Sequence, residues 1–310
     1  MHSAEALTAL GRALQRRAYR FTTVTPATHA RVLARPVNWA RSDEPACLRE
    51  IFGWNRAFEP EQLAPELREL LLATGFWVAQ GALLQARIRF STRRELLFVH
   101  SGFPTDERDA VFFGPDTYRF CAAIERHCGK AERAVDIGCG SGAGGLSIAG
   151  RVGAVVLADI NEQALAFAHT NARLAGVAVE IVKSDVLANV SGPLDLVVAN
   201  PPYLSDPGAR VYRDGGGVFG EALAVRIVRQ ALERLRPDGR LLLYTGAVHV
   251  AGTDTFWAAV EPLLAAAGAR FSYEELDPDV FGEELEAPHY ASVERIAAVL
   301  LQVQQNPRAK

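Results

Sequence analysis

The chain has 310 residues, of which 49% are hydrophobic and 22% are charged, and its formal net charge is -3. This composition excludes an extensively disordered chain and provides enough apolar residues for a sizeable core. No apolar stretch approaches the roughly 20 residues that a membrane-spanning helix requires, so we expect a soluble, cytoplasmic protein without a membrane partner. Four cysteines without CxxC spacing predict neither a disulfide scaffold nor a metal site.

Two parts of different character follow one another along the chain. Residues 1–108 are predicted to form a smaller, mainly helical N-terminal domain for substrate recognition, and residues 109–310 a larger α/β domain. In the first part, Leu7, Leu10 and Leu14 recur at helical spacing. A second helix is predicted to begin at Pro60, because proline favours the first turn and leucines follow at helical spacing, namely Leu63, Leu67, Leu70 and Leu71.

Arginine is concentrated in the N-terminal part. Between Met1 and Arg41 there are seven arginines and one acid, Glu5. We interpret this run as a solvated helix face, with a transit peptide and a polyanion-binding arm as alternatives. Residues 87–90 alternate between polar and apolar, residues 91–95 are polar and residues 96–99 are apolar, which predicts a β-hairpin. We expect its four arginines on a wet outer face, with contact to a substrate as the alternative: Arg87, Arg89, Arg93 and Arg94.

From about residue 130, apolar strands alternate with helical stretches, which predicts an α/β, Rossmann-like, doubly wound sheet. Seven strands are predicted, at 133–138, 154–160, 179–185, 194–200, 239–246, 269–277 and 294–303. Five helices are predicted, at 117–128, 143–150, 161–175, 220–236 and 253–268. The last strand should be antiparallel, because no helical pattern precedes it. Instead, seven acids lie between Glu274 and Glu286, and we expect them in a solvated loop.

Three alternating glycines, Gly138, Gly140 and Gly142, follow the first predicted strand of this sheet and precede a helix. Glycine permits a tight turn and lets a ligand approach the backbone, while the N-terminus of the helix offers free N–H groups. An acid, Asp159, ends the next strand, where it could hold a ribose diol. This order predicts a nucleotide-like cofactor, and by itself it fits NAD as well as another adenosine cofactor.

A carboxylate at the end of the first strand separates these cofactors. Asp136 stands two residues before the first glycine and would face the pyrophosphate of NAD at a site that otherwise favours anions. It suits S-adenosylmethionine better, because that molecule has an amino group and a sulfonium in place of phosphates. Asp185 ends the third strand, where it could accept a hydrogen bond from the adenine amino group or simply cap the following loop.

The fourth predicted strand ends in the tetrapeptide Asn200-Pro201-Pro202-Tyr203, where doubly wound folds bind their ligands. The prolines leave the Asn200 side-chain oxygen and the Pro201 carbonyl as acceptors for one NH2 group, and Tyr203 can stack on a planar group. A planar amide or aromatic amine is a weak nucleophile. Two acceptors would hold its nitrogen and stabilise positive charge as it attacks a methyl group. We therefore predict a catalytic role for all four residues.

With these motifs, the sequence resembles class I S-adenosylmethionine-dependent methyltransferases that carry an (Asn/Asp)-Pro-Pro-(Tyr/Phe) motif. It is most similar to the HemK-type glutamine N5-methyltransferases that modify peptide chain release factors. The resemblance covers about residues 110 to 250 and includes the segment Phe113-Gly114-Pro115-Asp116-Thr117, where Gly114 replaces the usual arginine. It implies S-adenosyl-L-methionine as cofactor and S-adenosyl-L-homocysteine as product, bound by Thr117, Asp136, Gly138, Gly140, Gly142, Asp159, Ile160, Asp185, Val186 and Asn200.

Departures from the family pattern concern the acceptor. The N-terminal part is longer than the family's helical domain, residues 211–220 are richer in glycine, and Thr245-Gly246 ends a strand where Glu-Ile-Gly is usual. A protein glutamine, as in a translation factor, ranks first as acceptor. A base amine of RNA or DNA and a small molecule or peptide follow. An NAD(P)-dependent oxidoreductase and a non-catalytic adenosine-binding regulator are the alternatives from other classes.

Overall fold

The computed structural model describes residues 3–37, 43–206, 208 and 210–306, so Arg41 of the arginine-rich segment lies outside the described residues. In the described residues of the N-terminal part there are four α-helices: α1 (Ser3–Arg16), α2 (Pro26–Leu33), α3 (Glu44–Phe52) and α4 (Pro65–Thr74). Two antiparallel hairpins follow, formed by β1 (Trp77–Gln80) with β2 (Leu83–Ala86) and by β3 (Ile88–Arg93) with β4 (Leu96–Ser101). The predicted domain boundary after residue 108 stays a prediction.

The second helix starts later than its leucine pattern predicts. Residues 60–62 form a short 3-10 turn, and α4 begins at Pro65. Ala64 is extended, with φ -50° and ψ 139°, because the residue before a proline is sterically disfavoured in the helical region. The predicted start at Pro60 was therefore wrong.

The second hairpin is present as predicted, but two of its arginines are buried. Arg89 and Arg93 are 3% and 8% exposed, so the expected wet face was wrong for both. Arg93 forms a bidentate ion pair with Glu125, with N–O distances of 2.6 and 3.0 Å. Arg87 and Arg94 are the more exposed members of the set. Alternation alone does not show that both faces of a hairpin are covered.

Several arginines near the N-terminus are engaged by acids. Arg16 and Arg17 both pair with Glu66, and Arg20 pairs with Glu95. These contacts favour the solvated-face interpretation, because their positive charges are balanced locally.

The larger part is a doubly wound sheet, and all seven predicted strands are present. They are β5 (Ala131–Ile137), β6 (Val152–Asp159), β7 (Glu180–Lys183), β8 (Leu194–Ala199), β9 (Leu235–Val250), β11 (Arg270–Asp277) and β12 (Arg295–Gln304). Their spatial order is β11-β12-β9-β8-β5-β6-β7, and the two-residue β10 (Thr253–Asp254) pairs with β9 beside this path. Strand β12 is antiparallel to both of its neighbours, which confirms the predicted fold class.

All five predicted helices flank this sheet: α5 (Pro115–His127), α6 (Ala143–Ile148), α7 (Glu162–Ala175), α8 (Ala222–Arg234) and α9 (Thr255–Ala267). After β5 the chain builds β6 and β7 on one side, then returns to build β8 on the other. The carboxyl ends of β5 and β8 are adjacent, with Ile137 beside Ala199. This reversal of strand order is where doubly wound folds form a ligand crevice. Within the described residues, no helix is both long and apolar enough to cross a membrane.

The acid-rich connection between β11 and β12 is less solvated than expected. Asp277 pairs with Arg119 of α5, and Glu284 pairs with Arg213 from the segment after the Asn-Pro-Pro-Tyr motif. The expectation of a solvated loop was wrong for these acids, because their arginine partners are supplied by sequence-distant elements.

The N-terminal part packs directly onto α7. Phe167 and Leu174 of this helix lie in the same apolar cluster as Leu7, Leu10 and Leu14 of α1. The two parts therefore share a continuous core.

A buried amide on α7 connects three elements. The Asn171 Oδ1 accepts a hydrogen bond from the Val99 N–H (2.8 Å), and Nδ2 donates to the carbonyls of Val99 (3.0 Å) and Ser141 (2.9 Å). Asn171 is 0% exposed. It thus joins hairpin strand β4 to the glycine-rich loop after β5.

We expect Asn171→Ala to lower the free energy of unfolding by about 3 kcal/mol, because it leaves buried backbone groups of Val99 and Ser141 without partners. Urea denaturation measures this change. The control Asn189→Ala removes an exposed amide that donates to the Lys183 carbonyl and should cost less than about 1 kcal/mol. Equal losses in the two variants would contradict the role of Asn171.

Candidate cofactor and acceptor site

A cleft of about 370 Å³ opens at the carboxyl ends of β5, β6 and β8. This volume lies within the roughly 300 to 1,000 Å³ typical of small-molecule sites. Of the predicted site residues, all but Gly142 line it: Thr117, Asp136, Gly138, Gly140, Asp159, Ile160, Asp185, Val186, Asn200, Pro201, Pro202 and Tyr203. The fold therefore brings residues from five separate segments of the chain into one crevice.

The glycine loop leaves its backbone open to this cleft. Gly138, Gly140 and Gly142 have φ values of 62°, 53° and 76°, which favour glycine. A Cβ at Gly138 would meet no atom within 4 Å, whereas one at Gly142 would lie 3.1 Å from Leu157. The first two glycines thus present backbone to a ligand, and Gly142 permits close packing below the loop.

Two buried carboxylates support this loop. Asp136 accepts a hydrogen bond from the Gly145 N–H (2.7 Å), and its burial raises its pKa to about 7. Asp159 accepts hydrogen bonds from the N–H groups of Gly140 and Asn161, both at 2.9 Å. Burial also raises the pKa of Asp159. These contacts hold the end of β5 against the start of α6 and the end of β6 against the loop, and both carboxyl groups line the cleft.

Asp185 has a partner that the sequence pattern did not indicate. Arg226 of α8 binds both of its carboxylate oxygens, at 2.8 and 2.5 Å. Next to it, Val186 has φ 52°, a strained value for a β-branched residue and one that occurs mainly at functional sites. Ile160 also lines the cleft, is 54% exposed and offers apolar surface to a planar ring.

The motif after β8 contains an unused acceptor. Among the described residues, the Asn200 Oδ1 atom is buried and has no hydrogen-bond partner. An unpaired buried oxygen costs free energy unless a ligand supplies a donor. This atom therefore suits an incoming N–H group.

Tyr203 is held by a residue that sequence analysis did not single out. Its hydroxyl donates to Asp116, which also accepts from the Tyr244 hydroxyl (2.9 Å). Burial raises the pKa of Tyr203 well above its ordinary value. A Cβ at Gly246 would clash with the Tyr203 ring at 2.2 Å, so glycine lets strand β9 approach it closely. Asp116 lies within the segment that resembles the family, which was its one sequence signal.

The backbone of the glycine-rich segment after the motif packs directly against the backbone of the motif. A Cβ at Gly215 would lie 2.6 Å from the Pro202 carbonyl oxygen, and one at Gly220 would lie 2.4 Å from that of Tyr203. Gly220 also has φ 100°. The unusual glycine content therefore lets this segment press directly on the motif.

An aromatic pair lines the cleft. The rings of Phe112 and Tyr212 are nearly parallel, with centroids 5.9 Å apart, and both residues line the cleft. The Tyr212 hydroxyl donates to the Thr105 carbonyl (2.6 Å). No sequence motif predicted this pair, because its members are about a hundred residues apart.

The donor set of this cleft fits S-adenosylmethionine. The open backbone at Gly138, the buried Asp136 and the exposed Ile160 match its methionine, cationic and adenine parts, respectively. This ligand carries no phosphate group, so the loop needs no arginine to bind one.

Comparisons with known proteins agree with the fold. Residues 120–247 match the family model of the methyltransferase small domain. The release factor glutamine methyltransferase of Deinococcus radiodurans is 37% identical over 123 residues, which are 36% of this chain and 44% of that protein. The ribosomal RNA small subunit methyltransferase C of Chromohalobacter salexigens is 34% identical over 116 residues, 37% of this chain and 32% of that protein. The chain thus spans less than half the length of either relative.

One solved structure shows the same fold over most of the chain. Trm5b from Pyrococcus abyssi superposes with a TM-score of 0.52 at 13% identity, covering 88% of this chain and 82% of that one. The fold and the family match define residues 120–247 as a domain of the S-adenosylmethionine-dependent methyltransferase class. Within this class, the curated relatives named above methylate either a protein glutamine or ribosomal RNA by their names.

We propose that Asp136 faces the cationic methionine part of the cofactor, and a pH dependence follows. With a pKa of about 7, Asp136 is mostly protonated near pH 6, and binding of a cation must first displace that proton. S-adenosylhomocysteine, which keeps the amino group, should therefore bind up to roughly eightfold more weakly at about pH 6 than at about pH 7.5. Isothermal titration measures this ratio. Adenosine, which lacks the amino acid part, is the control and should bind equally at both values; equal ratios for both ligands would contradict the assignment.

Proposed function

We propose that the protein transfers a methyl group from S-adenosylmethionine to a planar NH2 nitrogen, and that this nitrogen is the side-chain amide of a protein glutamine. The observation that carries the proposal is the buried, unpaired Asn200 Oδ1 beside the cofactor loop. A primary amide supplies the N–H donor that this oxygen lacks.

In the proposed mechanism, the protein promotes methyl transfer by positioning the substrate amide. S-adenosylmethionine supplies an electrophilic methyl group. We assign the Asn200 side-chain oxygen and the Pro201 carbonyl as acceptors for the two N–H bonds of the substrate amide, which orients its nitrogen and stabilises positive charge there. Pro202 restricts the backbone, and Tyr203, held by Asp116, forms the wall against which the planar amide rests.

The glutamine acceptor is favoured by two further observations. A relative named release factor glutamine methyltransferase matches at 37% identity. In addition, Arg16, Arg17 and Arg20 are already paired with glutamates, which reduces the positive charge that the N-terminal part can offer to phosphates. We assign residues 1–108 as the part that recognises the acceptor protein.

A base amine of RNA is a second candidate. The relative named ribosomal RNA small subunit methyltransferase C matches a similar share of this chain at 34% identity. An exocyclic base amine would satisfy Asn200 through the same N–H donors, and Phe112 and Tyr212 could stack on the base.

We expect Asn200→Ala to lower kcat by about a hundredfold or more, because the substrate nitrogen loses an acceptor in the transition state. The affinity for S-adenosylhomocysteine should change less than about threefold, since the loss concerns acceptor positioning. Transfer of a radiolabelled methyl group and isothermal titration measure the two quantities. Asn189→Ala is the surface control, and a wild-type rate for Asn200→Ala would refute the mechanism.

The acceptor can be identified from fractionated lysate with radiolabelled S-adenosylmethionine. Label that resists ribonuclease, is lost with protease, and yields N5-methylglutamine on hydrolysis supports the first candidate. Label that resists protease and yields a methylated base supports the second and overturns the first. Binding of S-adenosylhomocysteine without label in any fraction would contradict both.

A further inference from the structure

Strand β11 forms one edge of the central sheet. It pairs with β12, and no other described strand pairs with its outer side. In the range 270–275, Tyr273 is half-buried and the other five residues are exposed. Phe271 is 47% exposed, although it is a large apolar side chain.

This edge lacks the protection found at the opposite one. Strand β7 at the other edge is four residues long and ends in Lys183, a short charged edge that discourages pairing with other chains. Strand β11 has eight residues, and its irregularity falls between Glu275 and Asp277. The range 270–275 is therefore a regular strand with free backbone donors and acceptors.

The sequence of this strand is complementary to itself when it is reversed. Pairing of two copies about an axis at Ser272 sets Arg270 opposite Glu274 and Phe271 opposite Tyr273. Within the described part of the chain, neither Arg270 nor Glu274 takes part in an ion pair. Opposite charges and aromatic residues directly across antiparallel strands both stabilise pairing.

Backbone geometry selects this register. Residues whose N–H and C=O groups point to one edge alternate along a strand, so directly opposed residues in a symmetric antiparallel pair are an even number apart. The axis must then pass through a residue. An axis at Tyr273 would place Phe271 opposite Glu275 and lose both favourable pairs, whereas an axis at Ser272 makes them twice.

We infer that β11 is a docking surface for a second copy of this chain, which extends the sheet across a two-fold axis at Ser272. The aromatic side chains on one face of the strand are held in place by neighbouring residues. The Trp257 ring of α9 lies 5.3 Å from Phe271 and 4.9 Å from Tyr273, and the Tyr273 hydroxyl donates to Asp254 (2.6 Å). Each copy contributes the same cluster, so the two clusters meet across the axis.

A charge-swap series tests the interface by analytical ultracentrifugation. Wild-type protein should form a dimer, and Arg270→Glu or Glu274→Arg alone should raise the dissociation constant at least about tenfold, because like charges then oppose each other twice. The double variant Arg270→Glu, Glu274→Arg should restore the dimer. Arg12→Glu on α1 is the control and should leave it intact. A wild-type monomer, or a dimer unaffected by the single changes, would overturn the inference.

Cross-linking tests the register separately. Directly opposed Cα atoms in antiparallel strands lie about 4.5 to 5.5 Å apart, within disulfide range. Ser272→Cys should therefore give a covalent dimer on mild oxidation. Glu275→Cys is the matched control on the same strand, because the two copies of residue 275 lie about 20 Å apart in this register. Cross-linking of Glu275→Cys but not of Ser272→Cys would refute the axis.

Discussion

The buried amide of Asn171 is the contact on which the arrangement of the molecule depends. It saturates both backbone groups of Val99 in the second hairpin and also binds the Ser141 carbonyl in the glycine loop. A buried polar network is stabilising when every member has a partner, and in this amide the oxygen accepts one hydrogen bond while the nitrogen donates two. The N-terminal part and the cofactor loop are therefore positioned by the same side chain.

The walls of the cleft are held by further hydrogen bonds around the loop that Asn171 positions. Asp159 accepts a hydrogen bond from the Gly140 N–H of the glycine loop, and Asp136 accepts one from the Gly145 N–H in the first turn of α6, directly after the loop. The motif after β8 is supported in turn by Asp116 and by the glycine-rich segment that packs on it. In contrast to these hydrogen-bonded groups, the Asn200 Oδ1 atom is buried without a hydrogen-bond partner among the described residues. A pre-organised acceptor is what methyl transfer to a weak nucleophile requires.

Some residues of the cleft could be identified from sequence, whereas the partners of others could not. Glycines 138 and 140, together with the Asn-Pro-Pro-Tyr tetrapeptide, could be found from sequence because each depends on local backbone geometry. Asp116 and Arg226 could not be assigned their partners, because Tyr203 and Asp185 are distant along the chain. The same reason accounts for the burial of Arg93, whose partner Glu125 lies on α5.

By itself, the sequence determined the order along the chain of the strands and helices after about residue 117, the doubly wound class and the position of both motifs, since hydrophobic periodicity and glycine or proline geometry act within a few residues. Tertiary structure decided which faces of the second hairpin are buried, which acids between β11 and β12 find arginines, and which sheet edge stays open. These depend on contacts between segments far apart in the chain, which no local pattern encodes.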